Sequence, residues 1–390
     1  MIFDIIRMSL INCILPLDDK KQLFSSYTLL FLLVFTSNIV IGSFLLSDAL
    51  YGLLTVFVFL KTKRDKGAYF TYCYLLYFAF AAMLSFHMYS NAKGLQSSLR
   101  FIYNFFLCIT LIISLDHNEY RSKIIRGYLN ACCVFSFIIF LQILLYYVFK
   151  INLNLDFGDL ASQQNVANEY DPLSDLMYRT GGIFKEPSYY TAFVGPSIFM
   201  LYKYRYFKRF IYVLMGMIFS TSGLGFAVIL IFGSYILINA NKKFKFLFII
   251  LCAIVFVSLP FVFQHVLLGG SNEIRLVEPF TALFEEGNVG LFCGNPAMHY
   301  YNDEILIWIN TFVFILLYFG IVGMLLFFKF IYYKQALYLT TTLLCLIIIE
   351  GLYGRIDFWM VVLACSLFNK ELIFSNNRFP QMIAKTDSCN

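Results

Sequence analysis

The sequence predicts an all-α polytopic membrane protein, and composition supplies the main evidence. Hydrophobic residues make up 60% of the 390 residues and charged residues only 13%, with a mean hydropathy of +0.75. Soluble domains carry roughly 25% charged and about 45–50% apolar residues. Apolar runs that approach the roughly 20 residues needed to cross a bilayer recur along the chain, and open strands would leave backbone groups unpaired in lipid. The composition therefore excludes a soluble globular enzyme, a disordered chain and a nucleic-acid-binding protein.

The hydropathy pattern predicts about twelve transmembrane helices in a single integral membrane domain, residues 1–390. The seventh span is short, and the turn Ser220-Thr221-Ser222-Gly223 separates it from the eighth. The predicted spans lie near residues 22–42, 44–60, 68–86, 99–115, 127–149, 188–202, 210–222, 223–240, 246–262, 305–328, 336–350 and 356–369.

Basic residues set the predicted orientation of these spans. Of the 29 Lys and Arg residues, 22 fall on one side, with clusters at 61–66, 203–209 and 241–246. The positive-inside rule places that side in the cytoplasm, together with both termini and a C-terminal tail of about residues 370–390. The first 17 residues lack a basic start and a small-residue cleavage site, which indicates an interfacial helix rather than a signal peptide.

Two long loops, about residues 150–187 and 264–303, fall on the opposite, outer side. Loops of this length are uncommon unless they are functional. The outer side holds 15 acidic residues against 7 basic ones, so each outer arginine needs an explanation. The ten cysteines lie mostly in apolar runs, without a pairing framework or zinc-binding spacing, and no cofactor is predicted.

The first candidate motif closes the first long loop and opens the sixth span. Pro187 and Ser188 suit a helix start, and a helix N-terminus that faces a polar cavity binds anions. Arg179 and Lys185 would add fixed positive charge there. The alternative is a capped turn whose basic residues are only solvated. The motif reads Arg179-Thr180-Gly181-Gly182-Ile183-Phe184-Lys185-Glu186-Pro187-Ser188-Tyr189-Tyr190.

The second candidate motif lies in the other long loop, where Arg275 is followed by several glycines and then by His299-Tyr300-Tyr301-Asn302-Asp303-Glu304. His299 and Asp303 are four residues apart and would share one face of a helix. A histidine beside a carboxylate can act as a general base or hold an acceptor hydroxyl. The alternative is that His299 only caps the membrane interface. A metal site here is disfavoured because the group holds one histidine.

The third candidate motif is Gly354-Arg355-Ile356-Asp357, in the short outer turn between the last two spans. An ionisable residue at membrane depth is a functional candidate by default. The alternative is that Arg355 snorkels or pairs with Asp357. Tyrosines crowd the same regions, where they either form an interfacial belt or stack on sugar rings.

These motifs resemble the Wzy-type O-antigen polymerases, within the O-antigen ligase and polymerase superfamily. The pattern R-x-x-G-x-F-x-E-P-S begins at Arg179, and twelve spans with two large outer loops also fit. One departure concerns the turn at Ser220-Thr221-Ser222, after which the family often carries a basic residue and this chain has Gly223. Further matching segments are Arg275 with the later glycines, residues 299–304 and Gly320-Ile321-Val322-Gly323.

The resemblance implies a GT-C-like fold in the bacterial inner (cytoplasmic) membrane. It also implies an enzyme that joins lipid-linked oligosaccharide repeats on the periplasmic face. The donor would be the growing chain on undecaprenyl pyrophosphate and the acceptor a single repeat on the same lipid, with a chain-length regulator as the candidate protein partner. Arginine suits the pyrophosphate leaving group because its contacts are charge-assisted and often bidentate. The predicted pyrophosphate-binding residues are Arg179, Lys185, Arg275 and Arg355.

The predicted catalytic residues are His299, Glu186 and Asp303. His299 is the predicted base or acceptor-binding group, since histidine titrates near working pH, and Asp303 would orient it. Glu186 would be structural or acceptor-binding. The predicted sugar contacts are Tyr189, Tyr190, Tyr300 and Asn302.

The sequence is also compatible with an O-antigen ligase, with a flippase or other transporter, and with an acyltransferase or unrelated membrane protein. An O-antigen ligase would share the topology and the donor but use lipid A core as acceptor. A lipid-linked oligosaccharide flippase or other transporter would place charged or broken-helix sites near the bilayer midplane, whereas the charges of this sequence collect in the outer loops.

Overall fold

The computed structural model is helical almost throughout the residues that it describes. These are 26–41, 44–62, 72–89, 92–116, 118–151, 180–184, 186–239, 292, 294, 310–352 and 354–387. The predicted ninth span, residues 246–262, lies outside them, as does most of both long loops.

The helices follow one another with short connections. Helix α1 is followed by a 3-10 helix, Leu33–Asn38, and by an antiparallel pair of two-residue strands, β1 (Val40–Ile41) and β2 (Phe44–Leu45). A second 3-10 helix, Lys334–Ala336, precedes α10. The helices are α1 (Ser26–Leu32), α2 (Leu46–Lys61), α3 (Cys73–Tyr89), α4 (Ala92–Leu115), α5 (Asn118–Phe149), α6 (Pro187–Lys203), α7 (Phe207–Phe219), α8 (Gly223–Asn239), α9 (Thr311–Ile331), α10 (Leu337–Ile349) and α11 (Ile356–Asp387).

The described helices overlap eleven of the twelve predicted spans, one helix to each span. By length and apolar character, three described segments can cross a membrane: Gln96–Leu115, Tyr120–Phe149 and Thr311–Ile331. Five shorter apolar helical segments accompany them: Ser26–Ser37, Leu46–Leu60, Cys73–Met83, Gly223–Ile238 and Lys334–Ile349. These lengths and compositions are those of a membrane protein, while the count of twelve crossings stays a prediction.

Two predicted spans have different bounds in the structure. The first, residues 22–42, is not one helix, because α1 tightens into the 3-10 helix at Leu33 and then pairs as β1 with β2. The last does not end near residue 369, since α11 continues as a helix to Asp387 through the predicted tail.

An aromatic core joins α3, α4, α9 and α11. The indole of Trp359 on α11 stacks on Phe105 of α4 at a centroid distance of 5.1 Å. Phe78 of α3 meets Phe319 of α9 edge to face at 4.9 Å. Such pairs stabilise by about 0.5–1.5 kcal/mol beyond the area that they bury. Helix α11 packs on α4, α5 and α6.

Helix α9 is broken at Gly320, whose φ of 66° and ψ of −172° are accessible essentially to glycine alone. The Tyr77 hydroxyl donates a hydrogen bond of 2.8 Å to the carbonyl of Phe319, which satisfies an acceptor at the break. Gly294, from the second long loop, lies against the same break. A Cβ there would stand 2.4 Å from the amide nitrogen of Phe319. Part of that loop therefore reaches into the helical bundle.

The bundle has two polar ends, roughly 25 Å apart along α6. At one end, here called the Asp116 end, Asp116 pairs with Arg121 at 2.7 Å and with Lys370. Glu371 accepts hydrogen bonds from Ser122 and from the hydroxyl of Tyr204. The other, here called the Arg355 end, holds the starts of α6, α9 and α11 and the candidate site described next.

Candidate functional site

The structure brings together two motifs whose contacting residues, Tyr189 and Arg355, are 166 residues apart in the sequence. The guanidinium carbon of Arg355, in the turn before α11, lies 4.0 Å from the ring centroid of Tyr189 in the first turn of α6. This is a cation–π contact, and it is strongest where water is excluded. The first and third candidate motifs thus form one site at the Arg355 end.

Arg355 is held on its other sides by Asp357 and Ser37. Its Nε donates to both carboxylate oxygens of Asp357, at 3.0 and 3.2 Å, and Nη2 lies 2.9 Å from Oδ2. Nη2 also donates to the hydroxyl of Ser37 at 3.4 Å. The predicted alternative, pairing of Arg355 with Asp357, is therefore part of the observed geometry. We call Arg355, Asp357, Tyr189, Ser37 and Glu186 the Arg355 cluster.

The charge of Arg355 is stabilised although the side chain is only 17% exposed. Burial alone lowers the pKa of Arg355, but the Asp357 carboxylate, with smaller contributions from Tyr189 and Glu186, raises that pKa above its ordinary value. The guanidinium is therefore a permanent cation in a fixed orientation.

The cluster includes the starts of α6 and α11, and the start of α9 lies at the same end of the bundle. Glu186 is the N-cap residue of α6 in extended conformation, Pro187 follows at the first helical position, and the Ser188 hydroxyl donates to Glu186 Oε2 at 3.2 Å. At the start of α9 the amide and hydroxyl of Thr311 donate to the carbonyl of Glu350, each at 2.9 Å. The positive ends of the α6 and α11 dipoles add to the charge of Arg355 and favour an anion, while the carboxylates of Asp357 and Glu186 oppose it.

The end of the first long loop is anchored to α5 by a polar contact inside the bundle. The Thr180 hydroxyl donates to the side-chain oxygen of Gln142, whose amide nitrogen donates to the carbonyl of Gly182 at 3.2 Å. The amide of Gly182, a glycine with φ of 71°, donates to the Thr180 hydroxyl at 3.1 Å. A Cβ on Gly181 would lie 2.7 Å from the carbonyl carbon of Glu186, so this turn requires glycine.

Tyr190 does not take the place predicted for it. Its side chain is fully buried, and its hydroxyl lies 2.8 Å from that of Ser136 on α5. A Cβ on Gly216 would stand 2.6 Å from the same hydroxyl, so α7 closes over it. This environment corrects the prediction that Tyr190 contacts a sugar, because its ring packs in the core. Tyr189, the neighbouring tyrosine, is half-buried and has one ring face covered by Arg355.

Seven predicted site residues lie outside the described residues, so their predicted roles stay predictions: Arg179, Lys185, Arg275, His299, Tyr300, Asn302 and Asp303.

Among described residues, Ser37 and Gln142 also belong to the site, and the sequence did not single them out. The amide of Gln142 lies within an apolar span, where polar side chains usually bond to a neighbouring element, so it could have indicated such a contact. Ser37 carries no such signal because serine is common in membrane helices.

Comparison of the chain with protein-family models, with curated proteins and with solved structures yields no match. Within the described residues, no three His, Cys, Asp or Glu side chains come close enough to hold a metal ion. A fixed cation beside converging helix starts can bind an anionic group and stabilise negative charge that develops on it.

Proposed function

We propose that the protein is an O-antigen polymerase: an integral membrane glycosyltransferase that joins oligosaccharide repeats carried on undecaprenyl pyrophosphate. The observation that carries the proposal is the contact between Arg355 and Tyr189, which unites the two motifs singled out for anion binding. In this proposal the Arg355 end faces the periplasm and the twelve spans cross the inner membrane.

The proposed reaction is glycosyl transfer with a lipid pyrophosphate leaving group. A hydroxyl oxygen of the acceptor repeat bonds to the anomeric carbon of the donor chain, and the bond between that carbon and the pyrophosphate oxygen breaks. The hydroxyl proton passes to a base, for which His299 is the candidate. Negative charge grows on the departing pyrophosphate, where a preorganised arginine lowers the barrier most.

The membrane boundary supports this class of substrate. Arg355 lies where the apolar helices α10 and α11 meet in a turn, so a ligand there can keep its lipid chain beside the bundle and its phosphates at the cation. The largely apolar surface of the described helices provides the lipid-facing side.

Electrophoresis of lipopolysaccharide from a deletion strain tests the proposal. A polymerase deletion is expected to leave core capped with a single repeat, and the wild-type gene should restore long chains. The variant Arg355→Gln should fail to restore them, while Lys93→Ala, a control for outer positive charge, should restore them. Bare core in the deletion strain would contradict a polymerase and favour a ligase or a flippase.

A lipid-linked oligosaccharide transporter is the second candidate, favoured by the break in α9. Transporters commonly place their sites at discontinuous helices, and the break at Gly320 has that character. The same electrophoresis separates the two functions, since loss of transport gives bare core.

A further inference from the structure

The hydrogen bonds of Arg355 with described residues engage only some of the N–H groups of its guanidinium. A guanidinium carries five N–H groups in a planar fork. Nε and Nη2 are directed to Asp357 and Ser37, and one face of the plane lies over the ring of Tyr189. In the described part of the chain no residue accepts a hydrogen bond from Nη1. Within the described residues, the two donors on Nη1 are therefore available to a ligand.

We propose that Asp357, Tyr189 and Ser37 are positioning residues, which orient Arg355 so that Nη1 contacts a single phosphate group of the lipid pyrophosphate. This inference rests on the proposed function and specifies how its site recognises the leaving group. Arg355 then binds phosphate with one amino group, instead of the two-nitrogen fork that Asp357 already occupies.

The different burial of Asp357 and Arg355 supports the approach of a ligand from the Nη1 side of the guanidinium. The Asp357 side chain is 3% exposed and that of Arg355 is 17% exposed, so the carboxylate lies behind the cation. Asp357 Oδ1 also accepts the amide hydrogen of Phe358 at 2.9 Å, which fixes the carboxylate to the start of α11. A ligand therefore meets the guanidinium and not the carboxylate.

Positioning and simple electrostatics make opposite predictions for one substitution. Asp357→Asn removes a negative charge from beside the cation, so through-space electrostatics alone would strengthen anion binding. The asparagine keeps an oxygen for the Phe358 amide but loses the two-oxygen clamp on Nε and Nη2. If orientation of Nη1 decides binding, the same substitution weakens it.

The experiment measures binding of undecaprenyl pyrophosphate to the full-length protein in detergent, with undecaprenol as the probe that lacks phosphate. We expect the Kd to rise about tenfold in Asp357→Asn, as for the loss of one charge-assisted hydrogen bond. Arg355→Lys should weaken binding similarly, because one ammonium cannot both pair with Asp357 and replace Nη1. Tyr189→Leu should also weaken binding, whereas Tyr189→Phe, which keeps the stacked ring, should not.

Asp48→Asn is the matched control. Asp48 pairs with Arg100 at 3.3 Å, and Arg100 approaches Gly354, so the control removes one negative charge at the same end of the bundle. Its Kd should equal that of the wild type. Thermal unfolding of each variant, followed by tryptophan fluorescence, shows whether a change in binding comes from lost structure.

The outcomes separate this inference from the proposed function. Weaker binding by folded Asp357→Asn, with Asp48→Asn unchanged, supports positioning. Equal or tighter binding by Asp357→Asn, or the same loss in Asp48→Asn, overturns it and leaves the proposed function standing. Wild-type protein that binds undecaprenyl pyrophosphate no better than undecaprenol contradicts the proposed function. If Asp357→Asn does not fold, the pair Tyr189→Leu and Tyr189→Phe decides, and equal binding by these two overturns positioning.

Discussion

Two adjacent tyrosines, for which the sequence predicts the same role, lie in different environments in the structure. Tyr189 and Tyr190 share one motif and one chemistry, and both were predicted to contact sugar. The start of α6 turns them in different directions, so Tyr189 supports Arg355 while Tyr190 lies in the core beside Ser136. Sequence alone could not separate them because both neighbours come from distant elements, the turn before α11 and the middle of α5.

Tyr190→Phe is predicted to change stability and not activity. The substitution removes one buried hydroxyl, but Ser136 keeps its hydrogen bond to the carbonyl of Cys132. The free energy of unfolding should therefore fall by only about 1 kcal/mol. Denaturation of the purified protein measures the change in stability. Lipopolysaccharide electrophoresis measures the activity. Loss of polymer at a matched protein level would return Tyr190 to the substrate site.

Gln142→Leu is predicted to lower both stability and activity. Leucine is of similar length but removes the acceptor of the Thr180 hydroxyl and the donor to the Gly182 carbonyl, at a cost of about 1–3 kcal/mol for the buried carbonyl left unsatisfied. Arg179 directly precedes Thr180, so polymer yield should fall with the melting temperature. Leu144→Ala, at a half-exposed position on the same helix, is the control and should change neither. Wild-type values for both properties in Gln142→Leu would contradict the anchoring role.

At the scale of elements, hydropathy predicted most helices but not their irregularities. The runs that predicted spans at 99–115 and 188–202 correspond to α4 and α6, because an apolar run of that length has few other stable conformations in lipid. The break at Gly320 could not be predicted, although Gly320-Ile321-Val322-Gly323 was recognised as a motif. Glycine is tolerated inside membrane helices, and nothing in the local sequence indicates the close approach of Gly294 to Phe319.

Gly320→Ala is predicted to destabilise the protein. Alanine at φ of 66° and ψ of −172° is strained by about 1–3 kcal/mol, which the surrounding packing must absorb. Gly233→Ala in α8 is the matched control, since a Cβ there meets no atom within 4 Å and alanine favours a helix. The melting temperature of Gly320→Ala should be lower than that of Gly233→Ala. A Gly320→Ala protein as stable as the control would show that α9 can adopt a regular helix at this position.

At the scale of the whole molecule, the basic residues predict the orientation of the bundle. Topology reporters should show residues 150–187 and 264–303 outside and residues 61–66, 203–209 and 241–246 inside, because basic loops are retained in the cytoplasm. The salt-bridged Asp116 end, with Arg121 and Lys370, would then face the cytoplasm. A cytoplasmic signal from either long loop would contradict both the orientation and the proposed access of the donor to the Arg355 cluster.

Reconstituted polymerisation tests the central claim most directly. Purified protein in proteoliposomes receives the undecaprenyl-pyrophosphate-linked repeat as its sole substrate, and the products are separated by length. The wild-type protein is predicted to produce a ladder of lengthening oligosaccharides. Arg355→Gln, incorporated to the same level, is predicted to produce none. The absence of a ladder with the wild-type protein, or a full ladder with Arg355→Gln, would contradict the claim that the Arg355 cluster binds the leaving group of a polymerase.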